Sequence, residues 1–319
     1  MARILITGSK GVVGSYLVKI LLSRGHTIFG VDLTHNVGEI GWEHSMAEID
    51  VSYSRCDVAD YRQIERVFEQ HGPFDFVYHT AAEFGRWNGE DFYEQVWRSN
   101  AIGTKNIIRL QEQRKFKLIH FSSSEVYGDF DGVMSEDVME KHQISQMNDY
   151  AMSKWVNEMQ IRNSREVHGT ETVIVRLFNT YGPGEWYHPY RSVNCKFTYH
   201  ALHGMPVTVY KGHFRTSSYL EDTCNTLSNI VDNFKPGEVY NIAGTEYHDI
   251  ETLADLVWKH TGADRNLIRF EDHEIMTTKS KQVDMSKALR DLNHQTTVPL
   301  EEGVRRTVEW MRNYYQIHK

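Results

Sequence analysis

Cysteine is scarce in this chain: Cys56, Cys195 and Cys224 are the only three in 319 residues. An odd, dispersed set offers neither a disulfide framework nor metal-ligand spacing, so a reducing compartment is expected. Long apolar runs are also missing. Ile4-Leu5-Ile6 leads straight into glycines and is too short for a signal-peptide core. No stretch approaches the roughly 20 apolar residues that span a bilayer. The expectation is therefore a cytoplasmic protein with no membrane partner. An excess of positive charge is lacking too. Lys+Arg 35 against Asp+Glu 43 gives a net charge of −8, which speaks against nucleic acid or an anionic membrane as a partner. Any anionic ligand must then be held by local donors. The 17 histidines are scattered, with no His-x3-His pair beside a carboxylate cluster, so no metal is expected.

What is present is ordinary globular material, 40% hydrophobic and 24% charged. The length suits one large α/β domain plus a smaller lobe. Short apolar runs alternate with amphipathic segments. Strands are predicted at Arg3–Thr7, His26–Asp32, Phe74–His79, Lys117–Ser122 and Thr172–Leu177. Helices are predicted at Gly14–Arg24, Tyr61–His71, Asn100–Arg114 and Asp149–His168, where apolar residues recur at spacings of three and four. This βαβα rhythm implies a parallel sheet covered by helices on both faces. Past residue 178 the rhythm breaks. Residues 181–191 form a loop rich in Gly, Pro and aromatics, and Asp249–His260 and Glu301–Tyr315 are later amphipathic helices. The expected division is 1–178 as a dinucleotide-binding domain with returns near 217–245, and 179–319 as mainly a substrate-binding lobe.

The segment Thr7-Gly8-Ser9-Lys10-Gly11-Val12-Val13-Gly14 follows a strand and opens a helix. The first glycine permits a tight turn, the second lets backbone N–H groups approach a phosphate, and the third lets helix and strand pack closely. The helix N-terminus adds unpaired donors and the positive end of its dipole. Gly8, Lys10, Gly11, Val12, Val13 and Gly14 are thus the expected cradle for a pyrophosphate. Asp32 ends the second strand, about 20 residues on, where a carboxylate accepts both ribose hydroxyls. A carboxylate there repels a 2′-phosphate, and Thr34 and His35 follow it rather than arginine, so NAD is expected over NADP. Asp57-Val58 stands where an adenine amino group is met; Asp57 reads equally well as a helix cap before Tyr61.

Tyr150 and Lys154 lie four apart in a helical segment, on one face and a turn apart. A free tyrosine has a pKa near 10, and a nearby ammonium lowers it by stabilising phenolate. Ser122-Ser123-Ser124-Glu125-Val126-Tyr127-Gly128, at the end of a predicted strand, supplies a hydroxyl donor beside such a pair.

Taken together these segments resemble the extended short-chain dehydrogenase/reductase family, in its nucleotide-sugar epimerase/dehydratase branch. The resemblance covers nearly the whole chain. It rests on the glycine loop, His79-Thr80-Ala81-Ala82, Asn100 with Gly103-Thr104, Ser122–Gly128 and Tyr150–Lys154. Arg176–Pro183, Arg215 with Tyr219–Asp222, and Tyr240–Gly244 extend it. The resemblance implies a Rossmann-type doubly wound α/β fold with a smaller C-terminal α/β substrate lobe. It implies Tyr150 as the base at the sugar O4–H, Lys154 on the nicotinamide ribose, and Ser123 as the catalytic hydroxyl. Thr80, Ala81, Ala82, Asn100 and Ser122 would line the NAD site with the loop. Glu83, Ser123, Ser124, Asn179, Arg191 and Arg215 would meet a nucleotide-diphosphate sugar, arginine suiting phosphate by its fork of donors. The helices Asn100–Arg114 and Asp149–His168 match those that build a homodimer in the family.

The family oxidises C4 of the sugar and then diverges among dehydratases, epimerases and decarboxylases. Glu125 matches the glutamate that serves as C5 base in 4,6-dehydratases, and Ala82-Glu83 fits that branch. The expected activity is therefore an NAD-dependent nucleotide-sugar 4,6-dehydratase, with a 4-epimerase, a decarboxylase or a 4-dehydrogenase as alternatives. A non-catalytic NAD sensor is a more distant one. Ser124 departs from the Asp usual in enzymes acting on dTDP-glucose; Ser-Glu is similar to GDP-mannose dehydratases and to UDP-glucuronate decarboxylases.

Overall fold

The structure is a computed structural model and describes residues 1–34 and 51–317; His35 lies outside the described residues. The chain begins β1 (Arg3–Thr7), α1 (Val12–Ser23), β2 (Thr27–Asp32), β3 (Ser52–Arg55), α2 (Tyr61–His71), β4 (Phe76–His79), α3 (Arg86–Asp91), α4 (Tyr93–Trp97), α5 (Gly103–Arg114) and β5 (Lys117–Ser123). It continues through α6 (Val138–Lys141), α7 (Asp149–His168), β6 (Thr172–Leu177), β7 (Thr180–Tyr181), α8 (Val193–Leu202), β8 (Val207–Tyr210), β9 (Phe214–Thr216), β10 (Ser218–Tyr219) and α9 (Leu220–Ser228). It closes with β11 (Val239–Ile242), β12 (Tyr247–Asp249), α10 (Ile250–Thr261), β13 (Ile268–Glu271), α11 (Ser286–Leu292) and α12 (Leu300–Tyr314). Two compact units result. The first holds Met1–Val126, Asn148–Arg176 and Cys224–Tyr240; the second holds Tyr127–Met147, Leu177–Thr223 and the chain from Asn241 onward.

The first unit is built on a seven-stranded sheet in the order β11-β6-β5-β4-β1-β2-β3. The pairings from β3 through β5 are all parallel. Phe29, Leu5, Val77 and Leu118 are register neighbours across four of these strands. They share one buried cluster with Ile64, Val67 and Phe68 of α2 and Ile107 and Leu110 of α5. Each such side chain contributes about 1.5–3 kcal/mol on burial. Successive strand residues face opposite ways: Val77 joins that cluster, whereas the Tyr78 hydroxyl donates at 3.0 Å to the carbonyl of Leu227 in α9. Helices therefore cover both faces, and the sheet is doubly wound. Strand order reverses at β1, between β2 and β4. In open α/β sheets that switch point, at the carboxyl ends of the strands, is where ligands bind.

Local chemistry sets the helix ends. Asp60 caps α2 by accepting from the N–H groups of Arg62 and Gln63. Asn148 caps α7 by accepting from Ala151 N–H, and Gly169 ends it at φ 64, a left-handed conformation that glycine adopts without strain. Several predicted bounds shift by one or two residues, and the largest difference is at α5: residues Arg98–Ile102 form a π turn, and the α-helix begins at Gly103 rather than Asn100.

The second unit has its own core, in which Phe197, Leu253, Val257, Trp258, Val304 and Val308 pack with Tyr181 and Tyr219. Small two-stranded sheets, β7 with β10, β9 with β12, and β8 with β13, complete it. Among the described residues no helix is long and apolar enough to cross a membrane, and no cluster of His, Cys, Asp and Glu could hold a metal. All three cysteines are free and buried.

Candidate active site

The glycine loop joins β1 to α1 in a space that side chains would fill. A Cβ on Gly14 would lie 2.1 Å from the Gly8 carbonyl oxygen, and one on Gly8 would lie 2.7 Å from Ala81 N. Gly8 sits at φ +69, and Gly11 N–H donates to its carbonyl at 2.9 Å. Gly11 is the N-cap of α1, and no side chain caps that helix. Val12 and Val13 open its first turn, where the leading N–H groups have no intrahelical partner. This cradle fits a dinucleotide pyrophosphate in shape and in donor chemistry.

Asp32, at the carboxyl end of β2, accepts from Lys10 N–H at 3.0 Å and from Thr34 N–H and hydroxyl at 3.4 Å. Asp57 does not cap α2; that role falls to Asp60. Asp57 instead pairs with Arg98 at 2.6 Å and accepts from Ala59 N–H at 2.9 Å. Val58 is buried, its carbonyl accepting from the Asn106 side chain at 3.0 Å.

At the end of β4, the Thr80 hydroxyl donates to the carbonyl of Thr7 at 2.6 Å, and Ala81 N–H donates to the Thr7 hydroxyl at 3.3 Å. Residues 80–82 are thereby tied to the foot of the glycine loop. Asn100 brackets the next residue: its amide accepts from Glu83 N–H at 2.8 Å and donates to Glu83 carbonyl at 3.1 Å and to Ser153 at 2.9 Å. The Glu83 carboxylate receives Asn88 at 3.1 Å and Gln95 at 2.8 Å.

The catalytic candidates meet where β5 ends against α7. Ser123 Oγ accepts from Glu125 N–H at 3.2 Å and is hydrogen-bonded to the Tyr150 phenol. Lys154 Nζ donates to Phe121 carbonyl at 2.8 Å and lies 5.9 Å from the Tyr150 ring centroid. Ser124, buried, opens the short 3-10 turn that carries Glu125.

The electrostatics differ from the sequence expectation. Burial pushes the Tyr150 phenol up to about 12; the Ser123 bond opposes this and the Glu125 charge adds to it. Burial pulls Lys154 down to about 8. The Lys154 ammonium, 5.9 Å from the ring centroid, does not offset that desolvation. By itself, then, the chain keeps Tyr150 protonated at neutral pH.

Ser122 and Ser123 diverge as neighbours on a strand must. The Ser122 hydroxyl turns to Glu158 at 2.6 Å, and Glu158 grips Arg176 through contacts of 3.0 and 2.8 Å. Neither the sequence reading nor the resemblance singled out that buried pair; Glu158, one helical turn past Lys154, was the available signal. A further tier passed unnoticed. Thr7, His79 and His120 are register neighbours across β1, β4 and β5. His79 contacts the Thr7 hydroxyl at 2.7 Å and Thr104 at 3.1 Å. Burial and the Lys154 charge hold His79 down at about 3, and the same causes hold His120 well below its ordinary value.

Three predicted substrate residues belong to the second unit. Asn179 has a left-handed backbone, φ 36, and its buried Nδ2 finds no partner among the described residues. The Arg191 guanidinium lies 4.5 Å from the Trp186 ring centroid, beside Glu185, whose carboxylate receives the Ser192 hydroxyl at 2.9 Å. Arg215 donates to the carbonyls of Phe214 and Lys279 at 2.8 and 3.1 Å and to Thr277 at 3.3 Å. Of the loop aromatics, Tyr187 packs inward, stacking on Tyr199 at 3.8 Å.

Comparison with known proteins bears on the family and the fold. The profile of the NAD dependent epimerase/dehydratase family matches residues 4–243. The chain is 29% identical over 340 residues to the dTDP-glucose 4,6-dehydratase of Salmonella typhimurium, covering 97% of this chain and 92% of that protein. It is 30% identical over 312 residues to UDP-glucuronic acid decarboxylase 1 of Danio rerio, covering 97% and 72%. In fold it is similar to the UDP-glucuronic acid 4-epimerase of Bacillus cereus, solved with UDP-glucuronic acid and NAD, with a TM-score of 0.85 and 24% identity over 98% of this chain and 100% of that one.

Proposed function

The chain belongs to the NAD dependent epimerase/dehydratase family, and on that premise we propose that it is a nucleotide-sugar 4,6-dehydratase working through a 4-keto intermediate. It is an NAD-dependent enzyme of the nucleotide-sugar dehydratase, decarboxylase and epimerase kind. What supports the dehydratase reading is the company Glu125 keeps. Its N–H holds the Ser123 hydroxyl and its charge is felt by the Tyr150 phenol, so an acceptor for a second sugar proton stands beside the base for the first.

Bound NAD supplies a hydride acceptor, a positive ring charge that offsets the burial of Tyr150, and the same hydride for return. The residues do the rest. Lys154 holds the nicotinamide ribose. Ser123 orients the sugar O4–H toward Tyr150, which takes its proton as the C4–H bond breaks. The 4-ketone acidifies C5–H, and Glu125 removes that proton. Glu125 is then the one carboxyl acid of the Ser122–Gly128 segment, and it protonates the departing C6 hydroxyl. Water leaves, bound NAD would supply the hydride that C6 needs, and Tyr150 delivers to C5 the proton it took from O4. Asn179, Arg191 and Arg215 bind the nucleoside diphosphate, with Glu83 and Ser124 against the sugar. A homodimer through α7 and through α5 with the π turn before it completes the reading, and Ile102, Met152 and Met159, exposed by 53%, 41% and 41%, support it; a monomer in sedimentation would exclude it.

Ser124 favours a second reading. It cannot protonate a leaving hydroxyl, and a decarboxylase needs no such acid. A panel of UDP-, GDP-, dTDP- and CDP-sugars and their uronates, incubated in deuterated water, separates the two. The expected product has lost the mass of water and carries deuterium at C5. Loss of CO2, or an unchanged mass, rejects the dehydratase. Glu125→Gln should lower turnover by about 10²–10⁴-fold, as loss of a general base does, while Tyr150→Phe should remove even the oxidation at C4.

A further inference from the structure

The loop between β7 and α8 is pinned by two of its residues, Glu185 and Tyr187. Glu185 is buried, and its carboxylate accepts from the Ser192 N–H at 3.3 Å and from the Ser192 hydroxyl at 2.9 Å. The Tyr187 ring stacks on Tyr199 of α8 at 3.8 Å, with 8° between the planes. His203 stacks on Tyr199 as well, at 3.9 Å, and so takes its other face. Tyr315, at the end of α12, closes the pile edge-on, 5.1 Å from Tyr199 and 5.6 Å from His203. Its hydroxyl oxygen accepts from the Tyr187 backbone N–H at 2.9 Å. The Tyr187 hydroxyl is committed too. His200 Nδ1 lies 2.8 Å from the Pro206 carbonyl, which only accepts. That nitrogen therefore carries the proton, and Nε2 of the neutral ring accepts from Tyr187 at 3.2 Å. Ring, hydroxyl and backbone N–H thus each fix this one loop residue.

Arg191 is tied to these anchors. Its backbone N–H donates at 3.0 Å to the carbonyl of His188, one residue past Tyr187. Its guanidinium lies 4.5 Å from the ring centroid of Trp186, one residue before Tyr187. We propose that Tyr187 and Tyr315 are positioning residues for nucleotide-sugar binding, a latch through which the end of α12 holds Arg191 in place. The inference rests on the proposed role of Arg191 and goes beyond it, because both tyrosines act through the loop and not on the ligand. Gly182 and Gly184 stand at the start of the loop, and glycine has the most conformational freedom to lose on ordering. Without anchors, such a loop would order only when the anion arrives. Each side chain immobilised at that moment weakens affinity by about two- to tenfold. A loop already held by packing and hydrogen bonds avoids that loss.

The test is calorimetric titration of the NAD-loaded protein with UDP, GDP, dTDP and CDP. Tyr315→Phe keeps the ring and removes only the acceptor for the Tyr187 N–H. It should weaken the tightest of the four diphosphates by about three- to tenfold, the size of one hydrogen bond. Tyr187→Ala removes the stack and should weaken it by about tenfold, and Tyr187→Phe, which keeps the stack, should recover most of that. In an Arg191→Met background both losses should shrink to within about twofold, because the latch acts through Arg191. NAD affinity should be unchanged in the tyrosine variants. Diphosphate binding that is unchanged in Tyr315→Phe and Tyr187→Ala but lost in Arg191→Met would overturn the latch alone. So would tyrosine variants that weaken NAD as much as the diphosphate, the mark of general loosening. An Arg191→Met variant that binds every diphosphate like the natural sequence would overturn the role of Arg191, and the latch with it.

Discussion

Each unit buries an arginine, and the two are treated differently. In the first unit Arg176 meets Glu158 in a two-point contact, with both side chains fully inaccessible and the Ser122 hydroxyl closing the remaining acceptor position. In the second, Arg215 is held chiefly by the carbonyls of Phe214 and Lys279 and the hydroxyl of Thr277, with Glu274 at 3.6 Å. A carboxylate cancels a charge, whereas carbonyl dipoles solvate it and leave its field in place. Arg176 is therefore a strut whose charge ends where it is. Arg215 has a looser ion pair with Glu274, and under the proposed function it is the arginine that meets an anion. Under that proposal the difference separates arginine as scaffold from arginine as ligand, a distinction that residue type alone does not make.

The comparison breaks first at Arg176. Arg176→Met should destabilise the protein by about 3–5 kcal/mol, because it strands the Glu158 charge in the interior. Arg215→Met should cost about 1–3 kcal/mol, from carbonyls left without donors, and should also weaken binding of the nucleotide sugar. Urea unfolding measures the first effect in both variants, and calorimetry with the substrate found by the panel measures the second. If the two variants lose equal stability, or if Arg215→Met binds the nucleotide sugar unchanged, the distinction between strut and ligand is lost.

How far these roles were legible depends on whether they are set locally. The helices Tyr61–His71 and Asp149–His168 and the strand Thr172–Leu177 have the bounds the sequence predicts, because apolar period, caps and stop signals agree there. The edge strand Ser52–Arg55 carries only polar and aromatic residues with little burial, and no pattern marked it. The short strands of the second unit are similarly unmarked; pairing with distant segments defines them. The same rule holds in the site. Tyr150 and Lys154 share one helix face and were singled out by spacing, and Ser123, at a strand end, by the resemblance. The tier of Thr7, His79 and His120 arises from register between strands far apart in sequence, and the bonds of Ser122 to Glu158 and of Lys10 N–H to Asp32 arise from a helix and a loop packed against strand ends. The cap before Tyr61 is Asp60 rather than Asp57 because its side chain, and not Asp57's, reaches the N–H groups of Arg62 and Gln63.

A third buried cation extends the series and gives its smallest effect. Lys154 has one carbonyl, that of Phe121 at 2.8 Å, and burial lowers its pKa from 10.5 to about 8. Arginine in such a place stays charged, whereas lysine can discharge. The folded pKa lies below the unfolded one, so between about pH 8 and the ordinary lysine value the unfolded chain holds a proton that the native protein lacks. Stability should therefore rise with pH through this window on account of Lys154. Under the proposed function NAD binding should move the opposite way, weakening up to about tenfold per pH unit above 8, because the ammonium proposed to hold the ribose is lost. Calorimetric titration with NAD from neutral to mildly alkaline pH, set beside urea unfolding, reads both trends, and Lys154→Met should flatten the difference between them. Opposite slopes are the signature of an uncompensated, functional cation. An affinity that stays constant past pH 8, with a stability that does not rise, would instead place Lys154 with Arg176 as a charge already neutralised by the fold.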